Sequence, residues 1–111
     1  MSRLETIVRS VLDEGVDDWV PIDSLIWEAR EAAGDSDFRV LVADALRLMF
    51  AEGLVVAGHV GGPEGFLSEG SSDGTLAQVI ADCASMNWNP QGGGYWLANT
   101  DKGDRYVADD V

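Results

Sequence analysis

Histidine, cysteine and closely spaced carboxylates carry most protein chemistry, and this 111-residue sequence offers one His, one Cys and twenty Asp or Glu. His59 and Cys83 supply one nitrogen and one sulfur donor between them, so no centre with three such ligands can be assembled. His59 falls in a short β-branched segment and reads as a strand histidine held by a hydrogen bond. Cys83 keeps helical spacing with Val79 and Ile80, the pattern of a buried structural thiol rather than of a nucleophile. Carboxylates are paired at Asp13-Glu14, Asp17-Asp18 and Asp109-Asp110, but in so acidic a chain each pair is expected to be solvated surface. Gly92-Gly93-Gly94 lacks the Lys-Ser or Lys-Thr of a phosphate-binding loop and precedes a strand, where such loops precede a helix. It reads as a connector. The sequence therefore points to a non-enzymatic protein without a cofactor.

Two other features lack a structural explanation at this level. Asp13, Glu14, Asp17 and Asp18 place four carboxylates within six residues at a helix end and the loop after it, where acids oppose the helix dipole. Their spacing, without a distal Glu, is not that of a calcium loop, so a negative field directed at a partner is the functional reading. Trp27 falls off the apolar stripe of its helix and Trp88 lies among Asn and Gly, so at least one ring is expected at the surface. Large aromatics beside acids are common at protein-binding hot spots. The candidate partner-binding residues are Asp13, Glu14, Asp17, Asp18, Trp27 and Trp88.

Charge decides which partners fit. Twenty acids against seven bases give a net charge of −13, spread as twelve acids and five bases in residues 1–53 and eight acids and two bases in 54–111. No Lys or Arg occurs between Arg47 and Lys102. Such a surface repels nucleic acid and anionic membrane and attracts basic protein. A lone cysteine rules out an internal disulfide, the N-terminal residues read as helix rather than as a signal segment, and no apolar run approaches the roughly 18 residues of a membrane span. A reducing cytoplasm is the expected compartment.

The elements that position these residues follow from periodicity. Leu4, Ile7, Val8, Val11 and Leu12 mark a first helix, begun by a Ser2/Glu5 capping box and ended near Gly15. Pro21 forces an extended segment before it. Asp23 is then expected to cap a second helix, Ser24 to Ala33, with Leu25, Ile26, Ala29 and Ala33 inward and Gly34 closing it. A third helix capped by Asp35 or Ser36 carries Phe38, Leu41, Val42, Ala45, Leu48 and Met49 on its buried face until Gly53. Leu54 to Val60 reads as a strand. Residues 61–74 read as loop interrupted by Phe66 and Leu67, and Thr75 with Gln78 as the cap of a fourth helix from Leu76 to about Met86, with Leu76, Val79, Ile80 and Cys83 inward. Tyr95 to Ala98 reads as a second strand, and Thr100 as the cap of a last helical turn through Tyr106 and Val107.

Three helices, a strand, then a second strand and a polar turn resemble the order of a winged helix-turn-helix domain. Glu52-Gly53-Leu54-Val55 looks like the end of a recognition helix entering the first wing strand. Tyr95-Trp96-Leu97 with Thr100-Asp101-Lys102-Gly103 is similar to the second wing strand and the Thr-x-Lys-Gly turn of bacterial regulators. The resemblance covers residues 3–60 and 94–107. It implies a single α+β domain over residues 1–111 with a three-helix core and a two- to three-stranded antiparallel sheet, and the chain departs from it in an insertion over about 61–94 that places a helix between wing strands that a short hairpin ordinarily joins. It also implies an alternative function, transcriptional regulation by DNA binding through Arg39, Arg47, Lys102 and Arg105, with a dimer grouping the few cations. The outward face of the third helix argues against that use, since Val40, Ala43, Asp44 and Phe50 are expected there in place of base-reading side chains. In bulk properties the chain is instead similar to the acidic immunity proteins and antitoxins of bacteria, whose carboxylates mimic the phosphates that a basic nuclease toxin binds. Neutralisation of such a partner is the leading expectation.

Overall fold

A computed structural model describes residues 2–108; the Asp109-Asp110 pair lies outside the described residues. The elements in chain order are α1 (Arg3–Gly15), β1 (Val20–Pro21), α2 (Ile22–Ala33), α3 (Phe38–Ala51), β2 (Val55–Val60), β3 (Phe66–Gly70), α4 (Asp73–Ser85), β4 (Trp96–Asn99) and α5 (Asp101–Ala108). The fold is α+β, and its antiparallel sheet runs in the order β1-β4-β2-β3. This arrangement is consistent with a winged-helix-like class.

The sheet has four strands where the sequence suggested two or three. β1 is the extended segment before Pro21, paired with β4 through Val20↔Leu97 and Pro21↔Trp96 at the sheet edge, a position that tolerates the missing N–H of proline. β3 was hidden in an apparent loop. Gly61, Gly62 and Gly65 all adopt positive φ and turn the chain back, and Gly61 N–H donates to the Gly65 carbonyl at 2.7 Å. The chain then pairs with β2 through Val60↔Phe66 and His59↔Leu67. Phe66 is held by the Trp19 ring, 5.6 Å away between centroids. A tertiary contact thus converts a glycine-rich stretch into strand.

Helix ends obey local rules, with corrections. Ser2 caps α1 by accepting from Glu5 N–H at 3.1 Å, while the Glu5 carboxylate accepts from the Ser2 hydroxyl at 3.4 Å. α2 begins at Ile22 without a side-chain cap, because the Tyr95 carbonyl accepts Ile22 N–H at 3.0 Å. Asp23 is freed from capping and its carboxylate accepts Gly92 N–H at 3.1 and 3.2 Å. α3 is capped by Asp37, not by Asp35 or Ser36, and α4 by Ser72, three residues before the expected Thr75. Thr75 donates instead to the Glu69 carbonyl at 2.9 Å, which ties the start of α4 to β3. α3 ends with Gly53 at φ +68, where Gly53 N–H and Leu54 N–H donate to the Phe50 and Met49 carbonyls and satisfy groups that a helix end otherwise leaves orphaned.

One core joins the helices to the inner face of the sheet. Ile7, Val8, Val11 and Leu12 of α1, Leu25, Ile26 and Ala29 of α2, and Leu97 of β4 are buried together. On α3 the buried residues are Val42, Ala45, Leu46, Met49 and Phe50, whereas Phe38, Leu41 and Leu48 are half-buried. Phe50, expected on the outward face, is only 7% exposed, because α4 packs against α3 from the side that a three-helix arrangement leaves open. Each large apolar side chain removed from water contributes about 1.5–3 kcal/mol.

Candidate functional site

The acidic residues are set by the junction of α1, β4 and α5. Asp13 and Glu14 occupy the last turn of α1, which contains no basic residue. Gly15 follows because a Cβ there would collide with the Asn99 side chain. Asn99 uses that space: its amide nitrogen donates to the Leu12 carbonyl and to Asp104 Oδ1, both at 2.9 Å. One bond satisfies an orphaned helix-end carbonyl, and the other holds α5 so that Asp104 faces the turn after α1. An open cavity of about 400 Å³ results, lined by Asp17, Asp18, Trp19, Asn99 and Asp104 among others.

Trp19 is 39% exposed and Val16 49% exposed, so apolar surface lies beside the acids. The Asp18 carboxylate accepts from Trp19 N–H at 2.8 Å, a local bond that leaves its other oxygen for solvent or a partner. Asp13, Glu14, Asp17 and Asp18 are exposed, and among the described residues none of them forms an ion pair. Trp19 and Asp104 were not singled out from sequence. Trp19 immediately precedes buried Val20, the first residue of β1; Asp104 joins the acids only through Asn99, which no spacing rule reveals.

Glu14 links this cavity to a second one. Its Oε2 accepts from the Ser24 hydroxyl at 3.0 Å, and Ser24, Asp23, Trp27, Arg30, Trp88 and Pro90 line an open groove of about 380 Å³ along α2. Asp23, Trp27 and Arg30 stand at i, i+4 and i+7, one face of the helix. Trp27 is 59% exposed. Trp88 is half-buried, meets Phe38 edge-on with centroids 6.2 Å apart, and accepts from the Arg30 guanidinium through its carbonyl at 3.4 Å. The Arg30 guanidinium also lies 4.0 Å over the Phe38 ring. Trp88 follows a helix end in which Asn87, at φ +54, and Trp88 donate their N–H groups to the Ala84 and Cys83 carbonyls. Trp88 itself is left-handed at φ +59, a conformation that costs a bulky residue on the order of 1 kcal/mol. The two tryptophans proposed from sequence therefore share one groove, with the acids adjoining it through Glu14.

Three of the four cations of the DNA-binding alternative are engaged by their own chain. Arg39 makes a two-pronged contact with Asp37 at 2.9 and 3.2 Å, which holds the Asp37 carboxyl below and the Arg39 guanidinium above its ordinary pKa. Arg47 pairs with Asp44 at 3.1 Å and Lys102 with Glu52 at 3.6 Å. Arg105 is exposed on α5. The Thr-x-Lys-Gly turn is explained structurally: Thr100 donates its hydroxyl to the Gly53 carbonyl at 2.6 Å and accepts Gly103 N–H at 3.1 Å.

His59 and Cys83 take structural places. His59 Nδ1 lies 3.0 Å from Glu69 Oε2 with its ring 4.3 Å from that of Tyr95, whose hydroxyl donates to Glu69 Oε1 at 3.1 Å. Burial and that carboxylate raise the pKa of Tyr95. Among the described residues no group of three or more His, Cys, Asp or Glu converges to hold a metal ion, and no helix is long and apolar enough to cross a membrane.

Cys83 is 1% exposed, and burial, reinforced by Asp82 and Asp23, pushes its pKa from 9.0 to about 11. The raised value means that the folded state retains a proton that the unfolded chain loses, so stability declines as pH rises from about 9 to about 11 and is unaffected below. Two units correspond to about 3 kcal/mol. Urea unfolding at pH 8 and at pH 10.5 is therefore expected to show a larger loss for wild type than for Cys83→Ala. Equal losses would mean that the thiol is not the group responsible.

No protein-family model matches the chain, and neither a curated protein nor a solved structure matches it.

Proposed function

We propose that this protein is a non-enzymatic acidic binding module that occupies the phosphate-binding surface of a basic protein, in the manner of an immunity protein or antitoxin that neutralises a nuclease toxin. The observation that carries the reading is the cavity in which Asp17, Asp18 and Asp104 meet exposed Trp19, on a chain of net charge −13. Carboxylates beside an exposed indole ring offer a cationic surface both long-range attraction and desolvated contact. Asp13 and Glu14 extend the field, and Trp27 and Trp88 supply aromatic surface in the adjoining groove. A cytoplasmic location accords with the single, buried thiol.

Capture of a basic protein from native lysate by the tagged chain, unaffected by nuclease treatment, is the expected first result. With the captured partner, Asp13→Lys, Glu14→Lys, Asp17→Lys and Asp18→Lys combined should slow association by about 10- to 1000-fold and flatten its salt dependence. Circular dichroism should be unchanged. Unaltered kinetics would remove the cluster from the interface.

The second reading, a winged-helix DNA-binding regulator, is favoured by one observation: three N-terminal helices with β1, β4 and β2 adjacent in the sheet. Specific DNA fragments in the capture, lost on substitution of Arg39, Arg47, Lys102 or Arg105, would establish it instead.

A further inference from the structure

A stretch of surface between α3 and α4 carries few charges in this acidic chain. Residues 76–81 of α4, Leu-Ala-Gln-Val-Ile-Ala, contain no ionisable group. Val79 is buried in the core, but Leu76 and Ile80 are only half-buried, and Ala77 and Ala81 are exposed. Two adjoining open cavities of about 410 and 360 Å³ run along this seam, and both are bordered by Arg47, Asp73 and Leu76. An apolar groove thus carries one cation on one helix and one anion at the start of the other.

We propose that this groove is a homodimer interface in which α4 of one copy packs against the α3–α4 seam of the second about a twofold axis. Electrostatics selects the occupant. A basic partner gains nothing on a floor without carboxylates, whereas two copies each bearing −13 can approach only where their own acids are sparse. A twofold axis makes the rim self-complementary, with Arg47 of each copy meeting Asp73 of the other. The exposed Arg47–Asp44 pair, with side chains 60% and 46% accessible, holds the guanidinium weakly and leaves donors free. Alanines at 77 and 81 allow the helix axes to approach to about 8–10 Å.

The salt response of this interface is opposite to that of the acidic cluster. Screening relieves repulsion between like-charged copies, so dimerisation should tighten from about 0.05 M to about 0.5 M salt, while capture of a basic partner weakens. Sedimentation equilibrium over micromolar to millimolar protein is expected to show a monomer–dimer equilibrium. It should weaken at least tenfold in Ala77→Glu/Ala81→Glu, both exposed positions, and should not weaken in the Asp13, Glu14, Asp17 and Asp18 charge-reversal variant, whose smaller net charge lowers the repulsion between copies. Arg47→Glu and Asp73→Lys should each weaken it and together restore it. A monomer at every concentration and salt, or a dimer indifferent to Ala77→Glu/Ala81→Glu, overturns the proposal without bearing on the binding of a basic partner.

Discussion

Gly103→Ala is expected to lower the melting temperature by about 10 °C, although the same change inside a helix ordinarily adds up to about 1 kcal/mol of stability. Gly103 is buried in α5, and a Cβ there would run into the carbonyl oxygen of Leu54 and reach the Leu12 side chain. The obstacle is backbone at the α3–β2 junction, already fixed by Thr100 N–H, which donates to the same carbonyl at 2.9 Å. Neither side can yield without breaking hydrogen bonds, so an overpacking cost of about 2–3 kcal/mol outweighs the gain in helix propensity. Thr100→Val acts on the same joint by removing the hydroxyl between Gly53 and Gly103, at about 1–3 kcal/mol. The double variant should lose less than the sum, because both lesions release α5 from one site. Thermal unfolding by circular dichroism measures all three, and a stabilised Gly103→Ala would show that α5 is not pressed onto Leu54.

That joint also illustrates what the sequence discloses. Thr100-Asp101-Lys102-Gly103 was recognisable as a turn opening a helix, since capping is local and written in adjacent residues. Its tertiary role, clasping α5 to the end of α3, was not, because Gly53 and Leu54 lie far away in the chain. The same division recurs elsewhere. Ser2, Gly15 and Gly53 marked helix boundaries correctly, whereas Asp23 looked like a cap until the Tyr95 carbonyl took over that task. β3 was unreadable because its pairing depends on a glycine hairpin and on the Trp19 ring.

The candidate site divides similarly. The four acids at the end of α1 were legible as a run, and the exposure of Trp27 followed from its place off the apolar stripe. Asp104 entered through a single amide side chain, Asn99, reaching both Leu12 and α5. Phe50 was misplaced because the outward face of α3 was judged without α4 beside it. Elements fixed by their own residues were readable; those fixed by a distant neighbour needed the fold.

The two tryptophans of the α2 groove should separate binding from stability. Trp27→Ala removes an exposed ring and is expected to leave the urea midpoint within about 0.5 kcal/mol of wild type. In complex with a basic partner the same change should cost at least about 2 kcal/mol, roughly 30-fold in Kd, since indole rings dominate interface energetics when a partner desolvates them. The carboxylates of Asp23 and Glu14 beside the groove add attraction for a partner cation placed over the ring, the geometry in which an aromatic face binds a guanidinium best. Trp88→Ala acts differently. Its ring packs edge-on against Phe38 and its loss should destabilise the fold by about 2–3 kcal/mol, with any effect on binding following from the altered groove. A Trp27→Ala variant that binds the captured partner as tightly as wild type would confine the interface to the cavity around Asp17, Asp18 and Trp19. A loss of both stability and binding in that variant would instead make Trp27 a structural residue, in conflict with its 59% exposure.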